Sequence, residues 1–225
     1  LVSWARRCVY ETGSHVVNLL PIEKDEKISA MIRVDEVEND SYLVMVTRNG
    51  TIKRTALSAY RNVRKGGIIA INLEEGDELA WVRNTTGEDD LIIATRQGVA
   101  IRFAESDVRP MGRTATGVRA IRLDEGDEVI AMATCEEGGY LLTVTENGQG
   151  RRTALGEYRT QNRGGRGVRN YDCEGKGTLV AGVRVVGEED DVILIADDGI
   201  IIRIPCKQIA VQSRYGGGVH AMRLE

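Results

Sequence analysis

Short apolar runs separated by turns rich in glycine and charge follow one another along the chain. Lys27–Val34 alternates apolar and polar residues, which is typical of a half-buried strand. Tyr42–Thr47 and Thr51–Ala56 are rich in β-branched and apolar residues and flank Asn49-Gly50, so they predict a hairpin with a two-residue turn. After a basic stretch, Ile68–Leu73 predicts a fourth strand. The pattern therefore predicts a four-stranded unit of about 50 residues.

The same plan repeats along the chain. A turn glycine follows an apolar run at spacings of 48, 50 and 51 residues, and a second glycine precedes another apolar run at spacings of 50, 50 and 51. The apolar residue that opens each unit recurs at spacings of 51, 50 and 50. These anchors are Gly50, Gly98, Gly148 and Gly199; Gly67, Gly117, Gly167 and Gly218; and Ile28, Leu79, Val129 and Leu179. Three anchors with one period predict a tandem array of structural repeats.

We expect one domain over residues 1–225, built from one partial and four complete units. The complete units span residues 28–78, 79–128, 129–178 and 179–225. Residues 1–27 resemble the second half of another unit, with a third strand over Trp4–Tyr10 and a fourth over His15–Leu20. No segment shows helical periodicity beyond a turn or two. The sequence therefore predicts an all-β radial or solenoid array, and the period and the lack of a Trp-Asp dipeptide argue against WD40 blades.

Composition excludes two classes of protein. The 225 residues include 30 Lys and Arg against 34 Asp and Glu, so the net charge of −4 excludes a uniformly basic nucleic-acid binder but allows a local basic surface. No run of 18 apolar residues is present, which excludes a membrane-spanning helix. The first 20 residues lack the pattern of a signal peptide, and because the chain starts at Leu1 we expect residues upstream of it.

Charged residues are placed by their position in the repeat. Acidic residues cluster in the turns between units, whereas basic residues cluster between the third and fourth strands, in stretches that we call the basic segments. Residues 151–169 carry six Arg and one Glu, a local charge of +5. The candidate DNA-binding residues are Arg61, Arg64 and Lys65; Arg109, Arg113 and Arg119; Arg159, Arg163, Arg166 and Arg169; and Arg214, which shares its segment with His220.

A basic segment in every unit would form a belt, because equivalent residues of a closed array lie at equivalent radius and height. Arginine makes bidentate contacts to phosphate, and glycine lets main-chain N–H groups approach it closely. Aromatic residues that could stack on bases are sparse, with only Tyr60, Tyr158 and Tyr215 near the segments. The belt therefore favours a DNA backbone as ligand, and the alternative is a set of solvated charges on ordinary surface loops.

No group of residues predicts catalysis or a bound metal. Asp89-Asp90 and Asp197-Asp198 are carboxylate pairs, but they fall at hairpin turns, where aspartate favours the required backbone. His15 and His220 are isolated from other plausible ligands. No Ser-His-Asp set, phosphate-binding Walker loop or zinc spacing is present. We therefore expect neither a catalytic residue, nor a metal, nor a cofactor in this chain.

The cysteines and tryptophans predict structural roles. The cysteines lack C-x-x-C spacing, so we expect reduced, mostly buried thiols in a cytoplasmic protein. Trp4 and Trp81 fall on predicted strands and are expected in the core or between units. The four cysteines are Cys8, Cys135, Cys173 and Cys206.

One basic segment resembles a known signature. Gln161-Asn162-Arg163-Gly164-Gly165-Arg166-Gly167 is similar to the gyrase box, a run of Gln, basic, Arg, Gly, Gly, basic and Gly, and matches it at six of seven positions. Asn162 stands where the box has a basic residue. His15–Pro21 resembles the Val-Asn-Leu-Leu segment that follows the first blade in this family, and residues 47–55 and 111–118 resemble its repeats. The chain is thus identified as a member of the family of C-terminal domains of bacterial DNA gyrase A, a type IIA topoisomerase.

The resemblance implies a fold and a function. The fold is a β-pinwheel, a propeller-like ring of five or six four-stranded blades whose strands are exchanged between neighbours, here with a truncated first blade. Double-stranded DNA wraps right-handedly around its basic rim without sequence specificity. In the holoenzyme, strand passage driven by ATP then introduces negative supercoils. The cleaving tyrosine lies elsewhere in gyrase A, so this domain is non-catalytic, and ATP and Mg are bound outside it.

The same resemblance implies partners and a location. The partners are the N-terminal part of gyrase A and the gyrase B protein in an A2B2 heterotetramer, the isolated domain is a monomer, and the location is the bacterial cytoplasm at the nucleoid, not a membrane. The family places its full box in the first blade, upstream of Leu1, so residues 161–167 are an internal, degenerate copy three repeats later. Two alternatives stay open: the C-terminal DNA-binding domain of topoisomerase IV, and a protein-interaction propeller of the chromosome-condensation-regulator type.

Overall fold

The computed structural model describes residues 28, 41–61, 67–135 and 139–223. Several predictions fall outside these residues. They are the partial unit over residues 1–27, the strand Lys27–Val34, the segment His15–Pro21, the residues Trp4, Cys8 and His15, and the candidate DNA-binding residues Arg64 and Lys65.

The described residues form short strands joined by turns, which confirms the all-β prediction. Four one-turn 3-10 helices, at Leu57–Tyr60, Glu105–Asp107, Leu155–Glu157 and Cys206–Gln208, follow the hairpins, and the α-helix α1 spans Cys173–Lys176. The strands are β1 Tyr42–Thr47, β2 Thr51–Ala56, β3 Leu79–Thr85, β4 Asp90–Thr95, β5 Val99–Ala104, β6 Val118–Arg119, β7 Val129–Thr134, β8 Tyr140–Thr145, β9 Gln149–Ala154, β10 Val168–Arg169, β11 Val180–Val186, β12 Asp191–Ile195, β13 Ile201–Pro205 and β14 Val219–His220.

Each four-stranded sheet combines strands from two consecutive units. The sheets have the strand orders β3-β1-β2-β6, β10-β5-β4-β7 and β11-β8-β9-β14, with a two-stranded sheet β12-β13, and all pairings between these strands are antiparallel. The central hairpin of a sheet belongs to one predicted unit, whereas both outer strands belong to the following unit. Strands are therefore exchanged between neighbouring units, as the sequence resemblance implied.

The predicted hairpins are correct, but their turns are longer than predicted. The amide of Gly50 donates to the carbonyl of Thr47 at 3.1 Å, so Arg48 and Asn49 are the central residues of the turn. Gly50 follows them with a φ of +82°, in the left-handed region. The connection therefore has three residues, a common hairpin type in which a left-handed glycine restores the strand twist.

The predicted fourth strand over Ile68–Leu73 is wrong. These residues form no strand, and the equivalent strands β6 and β10 have two residues each. After β6, the amides of Ala120 and Ile121 both point to the carbonyl of Gly50, which ends the ladder. β6 and β10 therefore pair with the neighbouring hairpin through two residues only, because the residues that follow them bond to side chains and loops.

The apolar side chains pack between consecutive sheets in three clusters. Trp81 packs against the first cluster, while the guanidinium of Arg184 lies 4.9 Å from its ring centroid, which confirms an inter-unit position for Trp81. The first cluster includes Val44, Val46, Ile52, Leu91, Ile93, Ile101, Phe103 and Met132; the second includes Ile92, Leu141, Leu155, Tyr158 and Val183; and the third includes Leu142, Val186, Cys206 and Ile209.

The β12–β13 sheet differs from the others in its exposure. Ile193, Ile195 and Ile201 are 58%, 64% and 65% exposed, whereas their equivalents in the second unit, Ile92, Ala94 and Ala100, are at most 2% exposed. The described residues contribute no third or fourth strand to this sheet. Helices in the described ranges are all too short to cross a membrane.

Candidate nucleic-acid interface

Each basic segment lies along the hairpin of the preceding unit. Isolated parallel bridges pair Arg54 with Pro110, Arg102 with Thr160, and Arg152 with Val211. The residue after each bridge, Met111, Gln161 or Gln212, donates its amide to the carbonyl of the same arginine at 2.8 Å. Equivalent contacts recur at three junctions, so the segments occupy equivalent positions on successive sheets.

A recurring glycine closes three of the segments against the neighbouring strand, whereas its equivalent Gly67 has no atom within 4 Å of a Cβ position. Gly167 has a φ of +74°, and a Cβ atom there would lie 2.6 Å from the carbonyl oxygen of Ala100. Gly117 and Gly218 have positive φ values and approach Ile52 and Gly150 in the same way. No other residue type fits this approach without strain. The glycine period in the sequence therefore reflects a repeated close contact between units.

Apart from Arg166, the predicted DNA-binding residues that the structure describes fall into three rows of equivalent positions. We call Arg61, Arg109 and Arg159 the outer arginines; they directly or nearly follow a 3-10 helix and are exposed. We call Arg119 and Arg169 the closing-strand arginines; they lie in β6 and β10 and are also exposed. The third row is half-buried, and we call its members the inner arginines: Arg113, Arg163 and Arg214.

The box-like segment divides between exposed and half-buried residues. Asn162 and Arg166 are exposed, whereas Gln161, Arg163, Gly164, Gly165 and Gly167 are half-buried. The side-chain Nε2 of Gln161 is buried and finds no hydrogen-bond partner among the described residues. Arg166 thus carries the segment's most accessible charge.

The inner arginines bond to the main chain of the preceding unit. Nη1 of Arg113 donates to the carbonyl of Ile69 at 3.3 Å, and Nη1 of Arg163 donates to that of Arg119 at 3.0 Å. Nη1 of Arg214 donates to the carbonyl of Arg169 at 2.9 Å. The inner arginines therefore have structural partners, which the sequence did not indicate.

Arginines from two units meet at one shallow depression. Arg159, Arg169 and Arg214 line it together with Glu157 and Tyr215. Oε2 of Glu157 accepts the amide of Arg214 at 3.1 Å, which ties the two units together. The depression thus brings the exposed guanidinium groups of Arg159 and Arg169 together, an arrangement suited to a phosphate group, while Arg214 bonds to the carbonyl of Arg169.

Several basic residues in the hairpins are buried and do not contribute to the basic surface. Arg151 is 0% and Arg152 4% exposed, so the charge of +5 over residues 151–169 is not all at the surface. Lys53 is 0% exposed and occupies the position equivalent to Arg151. Two adjacent basic residues in the second strand of a hairpin were the only sequence signal for this arrangement.

Main-chain oxygens surround the buried cations Lys53 and Arg151. Nζ of Lys53 donates to the carbonyls of Ala70 and Arg113. Burial, with a smaller contribution from the charge of Arg113, lowers the pKa of Lys53 to about 8. Arg151 donates from Nη1 to the carbonyls of Arg214 and Gly216 at 3.0 and 2.7 Å, and burial lowers its pKa. Each of these cations therefore bonds to the main chain of the basic segment in the following unit.

The acidic turns between units have a structural role. Oδ1 of Asp77 accepts the amide of Asn49 at 3.0 Å, and Oδ1 of Asp127 accepts the amide of Gln97 at 2.9 Å. Each carboxylate, at the end of its unit, therefore caps the hairpin turn of the same unit. The same end of the sheets carries an ion-pair chain formed by Glu78, Arg48, Glu128, Arg96 and Glu146.

The remaining candidate groups are isolated. Within the described ranges, no three His, Cys, Asp or Glu side chains could together hold a metal ion. The ring of His220 contacts the amide nitrogen of Gln149. Cys135, Cys173 and Cys206 are free thiols, and burial raises the pKa of Cys135 to about 11.

Comparison with known proteins places this geometry in a family context. A family model described as the DNA gyrase C-terminal domain, beta-propeller, matches residues 41–86, 89–136, 139–186 and 190–225. The chain is 58% identical over 212 residues to the DNA gyrase A protein of Halalkalibacterium halodurans, covering 94% of this chain and 26% of that protein. The chain spans about a quarter of the length of the curated relatives that it matches.

Two solved structures share the fold. The C-terminal domain of DNA topoisomerase IV superposes with a TM-score of 0.88 at 29% identity, covering 94% of this chain and 66% of that chain. The DNA gyrase A C-terminal domain superposes with a TM-score of 0.84 at 25% identity, covering 96% of this chain and 73% of that chain. Together with the exchanged strands, these likenesses confirm the predicted β-pinwheel.

Proposed function

This chain belongs to the family of DNA gyrase C-terminal domains, and we propose that it binds double-stranded DNA without sequence specificity and wraps it in a right-handed path. The observation that carries the proposal is the exposure of arginines at equivalent positions of consecutive units. Arginine pairs with phosphate through two parallel hydrogen bonds, and a repeated spacing suits a repeated ligand. The exposed members are Arg61, Arg109, Arg119, Arg159 and Arg169, and Arg166 adds an exposed charge in the third unit alone.

The placement of the acidic residues supports the same proposal. Asp77 and Asp127 cap hairpin turns, and Glu78 and Glu128 pair with arginines at that end of the sheets. The negative charge that gives the chain its net −4 is therefore partly neutralised there. This segregation leaves a basic surface for an anionic polymer on a protein of acidic composition.

The secondary structure of the described residues favours contacts to the DNA backbone over contacts to the bases. Sequence readout in the major groove usually needs an α-helix or a two-stranded ribbon that reaches the base edges. The one α-helix among the described residues has four residues, and the basic segments are loops lying along a sheet. Arginine and main-chain amides recognise phosphate in any sequence.

In the whole enzyme, a right-handed wrap would present a DNA crossing of fixed sign for strand passage. ATP hydrolysed elsewhere in an A2B2 assembly of the gyrase A and gyrase B proteins would then drive negative supercoiling. On this account the domain is a non-catalytic monomer without a cofactor, acting in the bacterial cytoplasm at the nucleoid. The sequence likeness supports gyrase over topoisomerase IV, because the gyrase A relatives are 51% and 58% identical.

The salt dependence of binding tests the proposal. With six to ten phosphates neutralised, the logarithm of the association constant should fall against that of the salt concentration with a slope of roughly −5 to −9. Unrelated duplexes of one length should bind equally. Arg159→Gln should lower the magnitude of the slope by about 0.9. Arg83→Gln is the matched control, because Arg83 is exposed on β3, at the opposite edge of its sheet from β6. A slope near zero, or strong sequence dependence, would overturn the proposal.

A further inference from the structure

The three inner arginines make one contact that repeats along the chain. Arg113, Arg163 and Arg214 follow one another at spacings of 50 and 51 residues, and each reaches back 44 or 45 residues to a main-chain oxygen. The acceptor lies in each case in the segment that closes the preceding unit. A contact repeated at three junctions is a feature of the architecture rather than of one loop.

The acceptors connect this contact to the DNA-binding surface. Two of the three are the carbonyls of Arg119 and Arg169, which are themselves exposed closing-strand arginines. Arg163 adds a second bond, from Nε to the carbonyl of Asp107 at 2.8 Å. An inner arginine therefore fixes the backbone of an exposed arginine in the preceding unit relative to its own basic segment.

Buried cations hold the main chain of the inner arginines at two of the junctions. Lys53 donates to the carbonyl of Arg113 and to that of Ala70. Arg151 donates to the carbonyls of Arg214 and Asn170 in the equivalent arrangement. Each inner arginine at these junctions is thus held at both its carbonyl and its guanidinium.

The junction between the second and third units uses main-chain bonds instead. Its residue equivalent to Lys53 is Ile101, which is fully buried. The amide of Gly164 donates to the carbonyl of Ala120 at 2.6 Å, and the amide of Arg122 donates to the carbonyl of Gly165 at 2.8 Å. Gly164 has a φ of +79°, a conformation that glycine adopts readily. The amide of Gly164 thus takes the place of the buried cation, whereas the Arg122–Gly165 bond has a counterpart at the first junction, from the amide of Asn72 to the carbonyl of Ala115 at 3.4 Å.

We propose that Arg113, Arg163 and Arg214 are positioning residues, which set the spacing between exposed arginines of consecutive units and so the path of the bound DNA. This inference rests on the proposed DNA-binding function. These residues are half-buried and their guanidinium groups are already bonded to carbonyl oxygens, whereas phosphate contacts fall to the exposed outer and closing-strand arginines. Because phosphates repeat at fixed intervals along the duplex, a path that crosses several units needs their contact points at fixed spacings.

The test uses variants of Arg163 and a matched control at Arg166. Arg163→Gln removes the charge and the bonds, Arg163→Lys keeps the charge but cannot reproduce the two bonds from Nε and Nη1, and Arg166→Gln removes an exposed charge three residues away. Three quantities are measured. They are the salt slope of binding to a short duplex, the linking-number shift per domain bound to a relaxed plasmid, and the hydrogen exchange of the Arg122 and Gly164 amides.

The proposal expects Arg166→Gln to lower the slope by about 0.9 and to leave the exchange of both amides unchanged. Arg163→Lys should keep the wild-type slope, at least halve the linking-number shift and speed up exchange at least tenfold. Arg163→Gln should resemble Arg163→Lys in all three quantities.

The proposal is overturned if Arg163→Lys retains the wild-type shift and exchange rates while Arg163→Gln lowers the slope by about 0.9, because Arg163 would then be a phosphate contact. If the wild-type chain does not bind DNA, the proposed function fails. The hydrogen-exchange rates of the Arg122 and Gly164 amides then still show whether Arg163 stabilises the junction between the second and third units.

Discussion

Nη1 of Arg54 lies 3.7 Å from Oε1 of Glu105, and both side chains are buried. Arg54 belongs to the hairpin of the first unit, whereas Glu105 begins the basic segment of the second. Oε1 of Glu105 also accepts the hydroxyl of Thr85 at 2.6 Å, and its Oε2 accepts the amide of Gly87 at 3.0 Å. This carboxylate therefore joins two units, accepts two hydrogen bonds and forms one ion pair.

Loss of the Glu105 carboxylate should destabilise the chain strongly. Removing one partner of a buried ion pair costs about 3–5 kcal/mol, because the other charge stays buried without compensation. We expect Glu105→Gln to lower the free energy of unfolding by about 3 kcal/mol in urea titrations. Glu88→Gln, at an exposed carboxylate, is the control and should stay within about 0.5 kcal/mol. A loss below about 1 kcal/mol at Glu105 would contradict this account.

Asp127 should contribute to stability through the turn that it caps. Its Oδ1 accepts the amides of Gln97 and Glu128, both at 2.9 Å. We expect Asp127→Ala to cost about 1–3 kcal/mol of unfolding free energy, since the donors lose their acceptor. Asp124→Ala, in the same acidic turn but with an exposed side chain, is the comparison. Equal effects from both substitutions would show that only local charge matters.

Lys53 should make stability depend on pH in the alkaline range. Its folded pKa is about 8, against 10.5 for an unperturbed lysine, so the unfolded chain binds more protons between these values. Stability therefore rises with pH there, and the buried charge costs most below pH 8. We expect the unfolding free energy of the wild type relative to Lys53→Met to rise by about 2 kcal/mol between pH 7.5 and pH 10. A constant difference across this range would show that Lys53 titrates normally.

Cys135 should react slowly in the folded chain. Burial raises the pKa of its thiol from 9.0 to about 11, and the thiolate is the reactive form. We expect alkylation at pH 8, followed by mass spectrometry, to be about 100-fold slower in the native chain than in urea. A native rate equal to the rate in urea would mean that the thiol is accessible and not desolvated.

Local patterns along the sequence predicted the hairpins well. The bounds of Tyr42–Thr47 and Thr51–Ala56 agree with the structure because alternation and β-branching are properties of the segments themselves. Ile68–Leu73 failed as a strand: the carbonyl of Ala70 accepts a hydrogen bond from Lys53, and the equivalent closing strands β6 and β10 have only two residues each. Strand propensity alone does not report which partner a segment meets.

The candidate site was predicted only in part for a related reason. The repeat identified the arginine positions, but it did not separate exposed Arg159 and Arg166 from half-buried Arg163 or fully buried Arg151. That distinction depends on contacts between units, such as the bond from Arg163 to Arg119 across 44 residues. The sequence also did not indicate that one equivalent position is buried in three consecutive units, as Lys53, Ile101 and Arg151.

The direction of DNA wrapping tests the central claim most directly. A relaxed circular plasmid is incubated with this chain, treated with a type I topoisomerase to relax the unbound DNA, and its linking number is read on a gel. A right-handed wrap predicts a positive shift in linking number that grows with the amount of bound chain. Binding without a shift, or with a negative shift, would contradict right-handed wrapping by these units.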